Sequence, residues 1–156
     1  MDTRLAKLDD DQYDAIILAV AGLKRLGLAN RICFCLTTEQ SLPAIGQGAI
    51  GIECRRNDAI VESIIQPLND ANTYTCVTAE RAVSQTLGGG CQLPIAGFAE
   101  LSSDHLKLRA LVGYPDGSKI CHSEKQGSKQ NPTQLGQLVA ADLTAQGADI
   151  ILASMS

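Results

Sequence analysis

The chain has 156 residues, of which 45% are hydrophobic and 19% charged, with a formal net charge of −4. That balance supports a packed core and excludes a disordered chain. The acidic charge offers no general attraction to nucleic-acid phosphates, and 3% aromatics without tryptophan offer no base-stacking platform.

No apolar run approaches the ~20 residues that a membrane-spanning helix requires, and no charged-then-apolar export signal opens the sequence. A cytoplasmic setting is expected, with Cys33, Cys35, Cys54, Cys76, Cys91 and Cys121 reduced rather than paired. Residues 2–12 predict one short helix with Leu5 and Leu8 on one side. Met1 followed directly by Asp2-Thr3-Arg4 reads as a cut inside a larger fold.

The continuous apolar run from Asp14 to Val20 predicts a strand buried on both faces. A short helical turn, Ala21 to Gly27, follows it, and Gly27 is its expected stop. Arg25 then lies at the carboxyl end of the strand, where α/β sheets usually place ligands. Arg4 lies just upstream, and taken singly each of these arginines reads as a solvated surface charge. Ile32 to Leu36 fits a strand or a loop. If extended, it puts Cys33 and Cys35 on one face. A C-x-C pair without a second ligand pair is not a zinc site, and His105 and His122 stand at no metal-like spacing from it; no metal is expected.

Leu42 to Arg55 is glycine-rich and then alternates, which predicts a hinge or domain crossover leading into a strand at Ala49–Cys54. It is neither G-x-G-x-x-G nor a Walker loop. Gln47, between Gly46 and Gly48, can turn its amide toward a ligand. Asn57 or Asp58 caps a helix whose apolar stripe is Ile60, Val61, Ile64, Ile65 and Leu68, ended or kinked by Pro67. Asp70 opens a second helix, Ala71 to Leu87. Glu80 and Arg81 on it are expected to be surface charges. Gly88-Gly89-Gly90 closes this helix, and Cys91 after it is open to two readings: a thiol presented on a loop, where it can react, or a buried cysteine packed beside the helix C-cap.

Beyond Cys91 the pattern changes. Ile95–Leu101, Leu106–Val112 and Lys119–Lys125 read as three strands, the last two joined by the Asp116-Gly117 turn. Gln126 to Gln130 is read as a polar loop. Asn131 caps a helix with Pro132 in its first turn; Leu135, Leu138, Val139 and Leu143 form the expected buried face, and Gly147 stops it. Ile150 to Ala153 forms a last short element. The expected fold class is an α/β fragment over the first third, followed by an α+β domain with a three-stranded antiparallel sheet and helices on one face.

Several of these segments resemble one family in the order in which they occur. Thr3-Arg4-Leu5, Tyr13 to Ala19, and Ala21-Gly22-Leu23-Lys24-Arg25-Leu26-Gly27 are similar to one block of porphobilinogen deaminases (hydroxymethylbilane synthases). Leu42-Pro43-Ala44 with Gly46-Gln47-Gly48-Ala49 and Gly51 to Arg55 resembles the next. Thr78-Ala79-Glu80-Arg81-Ala82 leading to Gly89-Gly90-Cys91-Gln92 resembles the cofactor-attachment signature.

The resemblance implies a transferase that joins four porphobilinogen molecules into linear hydroxymethylbilane with loss of ammonia, on the route to heme and other tetrapyrroles. It implies a dipyrromethane cofactor attached to Cys91 as a thioether. Arg4 and Arg25 would meet cofactor or substrate carboxylates, Leu18, Ala19 and Gly22 would line the cleft, and Gln47 would sit in the interdomain hinge. Residues 1–55 would be the C-terminal part of the second lobe of a two-lobed, binding-protein-like cleft plus the crossover, 56–70 a linking helix, and 71–156 the C-terminal domain. The family's catalytic aspartate has no convincing counterpart here, so the chain is expected to be truncated and inactive alone. Its uncovered apolar residues, Ile16 to Leu18 above all, predict self-association or a missing N-terminal domain as partner. The alternatives are a non-enzymatic ligand-binding or interaction module and a thiol redox protein, the latter disfavoured by the lack of C-x-x-C.

Overall fold

Alternation of apolar and polar residues from Ile95 onward builds a three-stranded antiparallel sheet. The computed structural model describes residues 2–90 and 93–155. They fall into two units, Met1–Thr37 and Thr38–Ser156.

The first unit holds helix α1 (Asp2–Asp9), helix α2 (Val20–Arg25) and a single 3-10 turn, Ala29–Arg31. Leu5 and Leu23 are its buried apolar residues. Arg31 grips Asp9 through its two terminal guanidinium nitrogens, Nη2 donating to Oδ1 at 2.5 Å and Nη1 to Oδ2 at 3.3 Å. Gly27 ends α2 in a left-handed conformation, φ +72°. That lets Leu28 N–H reach the Leu23 carbonyl at 2.9 Å while Gly27 N–H reaches that of Lys24 at 3.1 Å, the paired bonds of a Schellman stop.

The run Asp14–Val20 is not a strand. Residues 14–19 are irregular, Ile17 is 75% exposed, and Val20 already belongs to α2. Apolar character marks a doubly buried strand only where strands lie on both sides to take up its N–H and C=O groups, and among the described residues of this unit there are none. Ile32 to Leu36 is likewise irregular.

The second unit contains α3 (Ala59–Ile65), α4 (Ala71–Thr86), β1 (Ile95–Ser102), β2 (His105–Gly113), β3 (Ile120–Ser128), α5 (Pro132–Ala145) and α6 (Ala148–Ala153). The three strands form one antiparallel sheet in the order β1-β2-β3. Period-two alternation puts Ala99, Leu106, Leu108, Ala110, Val112 and Cys121 on the face covered by α4 and α5, whose Ala79, Val83, Leu135, Val139 and Leu143 complete the core. This is the expected α+β arrangement.

Asp58 and Asp70 cap α3 and α4 by accepting from Val61 N and Thr73 N at 3.2 and 2.7 Å. Asn131 precedes α5 without a side-chain cap bond. Gly136 lets α5 approach α4 closely, because a Cβ there would stand 3.1 Å from Val83 N and closer still to Ala79 O.

Four further expectations are corrected. The segment Ala49–Cys54 forms no strand, and Ile50 and Ile52 are 81% and 53% exposed. β3 extends to Ser128, because β2 begins at His105 and offers partners as far as the His105–Ser128 pair, so Gln126 to Ser128 are strand rather than loop. Leu138 is 52% exposed, since Leu135, Gly136, Val139, Ala140 and Leu143 set a stripe on the other side of α5. On α3 the predicted stripe is solvent-facing at Ile60 and Ile64.

β1 is an edge strand, and residues 43–46 run along it. Gly97 N–H donates to the Pro43 carbonyl at 3.0 Å, Ala44 forms an isolated bridge with Ala96, and Ile45 occupies the space a side chain at Gly97 would need.

Candidate functional site

Two glycines at positive φ, Gly46 at +71° and Gly48 at +89°, fold the segment after this strap into successive tight turns. Gln47 N–H donates to the Ala44 carbonyl at 2.9 Å, and Ala49 N–H to that of Gly46 at 3.1 Å. Gln47 therefore stands exposed at the tip of a well-defined loop. Beside it lies an open depression of about 340 Å³, bounded in part by Asn72, Thr73, Cys76, Glu80 and Phe98.

Glu80 is the residue that the sequence reading missed. Expected at the surface, it is 5% exposed. Its carboxylate accepts from Gly46 N at 2.8 Å and from Ala99 N at 2.9 Å. Burial pushes its pKa above the ordinary glutamate value, against the pull of those two N–H groups. The signal was its place on the helix. Residues three and four away on the same face are Val83 and Cys76, so Glu80 lies inside an apolar stripe. Burial also raises the Cys76 thiol, with the nearby Glu80 and Glu100 charges adding to it, so this cysteine is held as the thiol and poorly nucleophilic.

Arg109 plays a comparable fastening role on the open face of the sheet. It donates to Thr38 Oγ1 at 2.8 Å, pairs with Glu100 at 2.9 Å and Glu39 at 3.2 Å, and lies over the Phe98 ring.

The remaining expected site residues lie in the first unit, with one exception. Arg4 is exposed on α1, and Arg25 is exposed at the last position of α2. Neither makes an ion pair with any described residue, in contrast to Arg31 and Arg109. Ala19 is the N-cap of α2, Gly22 lies within that helix, and Leu18 is half-buried just before it. The unit thus brings Leu18, Ala19, Gly22 and Arg25 onto one short segment, with a guanidinium that no described acidic side chain engages and that can take a carboxylate. Cys91 lies outside the described residues. Among those described, no group of three or more His, Cys, Asp or Glu is arranged to hold a metal, and no helix is long and apolar enough to cross a membrane.

Comparison with known proteins bears on both units. Residues 1–63 match the family profile described as "Porphobilinogen deaminase, dipyromethane cofactor binding domain". Residues 74–145 match the one described as "Porphobilinogen deaminase, C-terminal domain". The chain is 53% identical over 155 residues to the porphobilinogen deaminases of Bordetella parapertussis and Bordetella bronchiseptica, covering 99% of itself and 49% of each. It therefore spans about half the length of the curated relatives it matches. With two profiles of one family matched in order, and such identity sustained along nearly every residue, the chain belongs to the porphobilinogen deaminase family.

Proposed function

We propose that this chain acts as part of a cytoplasmic hydroxymethylbilane synthase, in which four porphobilinogen molecules are condensed head to tail with release of ammonia. The observation that carries this reading is the ordered match of both family profiles along the chain. Residues 1–55 form part of the second lobe of a two-lobed cleft and its crossover, 56–70 a link, and 71–156 the domain bearing the cofactor cysteine.

Cys91 anchors the dipyrromethane as a thioether; a soft thiolate is suited to capturing an electrophilic pyrrolic methylene. Arg4 and Arg25 hold pyrrole carboxylates, a role supported by guanidiniums that no described acidic side chain engages. Leu18, Ala19 and Gly22 line the cleft beside Arg25, and Gln47 adds a neutral amide. No carboxylate of these residues takes the place of the family's catalytic aspartate, so turnover requires the other half of the family's length, supplied for the test as a second polypeptide. The exposed Ile17, Phe34, Ile50 and Ile60 support association with such a partner or with a second copy.

The test is an intact-mass spectrum of the chain after incubation with that second polypeptide and porphobilinogen. A mass increase matching a dipyrromethane, abolished by Cys91→Ser, is the expected result. Turnover with an unmodified Cys91 would overturn the anchor. Absence of both turnover and modification would overturn the enzyme reading in favour of a non-enzymatic binding module.

A further inference from the structure

Glu80 has no part in the chemistry just described, yet its surroundings are those of a functional carboxylate. Helix α4 carries it into the seam between α4 and β1, where an ionised side chain is stable only with strong donors. Its donors come from two separate segments, Ala99 in the sheet and Gly46 in the glycine loop. One carboxylate thus ties the loop to the sheet. The strap along β1 fixes residues 43–45, but Gly46 is the last residue of the loop held by a distant partner before Gln47.

The neighbouring charges do not substitute for this tie. Cys76, one turn earlier on α4, is a thiol. Glu100, next to Ala99 on β1, is paired with Arg109. Arg81, adjacent on α4, is exposed. The other residues bounding the depression, Asn72, Thr73, Val77 and Phe98 among them, are uncharged.

We propose that Glu80 is the positioning residue for Gln47, setting where the Gln47 amide stands without touching a ligand itself. This rests on the reading in which Gln47 meets polar groups of cofactor or substrate. Glu80 acts through both carboxylate oxygens, so Glu80→Gln, which keeps the volume but replaces one acceptor by an NH₂, is the discriminating variant.

The first arm of the test uses the nitrogen-labelled 156-residue chain. The Gly46 and Ala99 amide resonances move together through one titration with a midpoint above the ordinary glutamate value. In Glu80→Gln that titration disappears and Gly46 N–H exchanges about tenfold faster or more. Leu108 and Val112 in the sheet keep their protection, which shows that the fold is intact. Unchanged Gly46 exchange would overturn the proposal.

The second arm uses the chain assembled with the other half of the family's length. Glu80→Gln and Gln47→Ala each raise KM for porphobilinogen about fivefold with a smaller change in kcat, and the double variant is no worse than either. Additive effects would overturn the proposal. An assembly without turnover refutes the enzyme reading instead, and the exchange of Gly46 then decides alone.

Discussion

Replacing Gly136 by alanine sets two known effects against each other at the α4–α5 contact. Removing a glycine from a helix interior favours folding by about 1 kcal/mol. Against it stands the space the new methyl needs: it would lie 2.5 Å from Ala82 Cβ and 3.1 Å from Val83 N, and nearer still to the Ala79 carbonyl oxygen. Two of those three atoms are backbone, so no rotamer change relieves the contact and the helices must separate. Overpacking of that kind costs ~1–3 kcal/mol, and a backbone obstacle belongs at the upper end.

The net expectation is a loss of about 1–2 kcal/mol, equivalent to a fall in Tm of about 4–8 °C for a domain of this size. Thermal unfolding followed by far-UV circular dichroism, with urea unfolding as a second measure, tests it. Gly51→Ala is the control, because nothing lies within 4 Å of its added methyl and its φ is not positive; its Tm stays within about 2 °C of the parent. A Gly136→Ala protein as stable as the parent would refute the reasoning, since it would mean that the α4–α5 spacing adjusts at negligible cost.

Other expectations follow from burial and charge. Leu143→Ala, at a fully buried core position, costs ~2–5 kcal/mol in urea unfolding, whereas Leu138→Ala on the exposed side of the same helix changes stability by less than ~0.5 kcal/mol. Asp70, Asp104, Asp116 and Asp142 have pKa values lowered mainly by hydrogen bonds from Thr73, Lys129, Ser118 and Ser123. Their stabilisation is present above the unfolded-state pKa and is lost as pH falls through the lower folded values. Glu80 works the other way: its contribution is present below the unfolded pKa and is lost as pH rises through its raised folded value. Urea midpoints measured from pH 7 downward should therefore fall in acid, and Asp70→Asn should make that fall shallower. In timed alkylation, Cys33, Cys35 and Cys54 react first, Cys76 more slowly, and Cys121, 1% exposed, only on unfolding.

The parts of the fold that were legible in the sequence are those decided locally. The strands after Ile95 announce themselves by alternation, and Asp58, Asp70 and Gly147 mark helix ends by chemistry confined to a single turn. Asp14–Val20 misleads because apolarity reports only a capacity for burial; whether a strand forms depends on partners elsewhere in the fold. Leu138 was a matter of angle, misassigned by one position on the helix wheel. The site divides in the same way. Arg25 and Gln47 could be picked out from motif blocks, but Glu80 could not be recognised as a fastener, because its donors lie 34 and 19 residues away.

A three-stranded sheet has two outer edges, and each is an invitation to intermolecular strand addition. This molecule closes them by different means. On β1 its own residues 43–46 occupy the hydrogen-bonding edge, so another chain would first have to displace a segment held at Gly97, Ala96 and, through Glu80, at Gly46. On β3 the deterrent is electrostatic, with Glu124 paired to Lys107 and Lys125 to Asp142, both in mid-strand. Loosening the glycine loop would therefore endanger more than the placement of Gln47. It would bare the one edge that carries no charge between Ile95 and Ala99, and turn a local change at Gly46 into a route to aggregation.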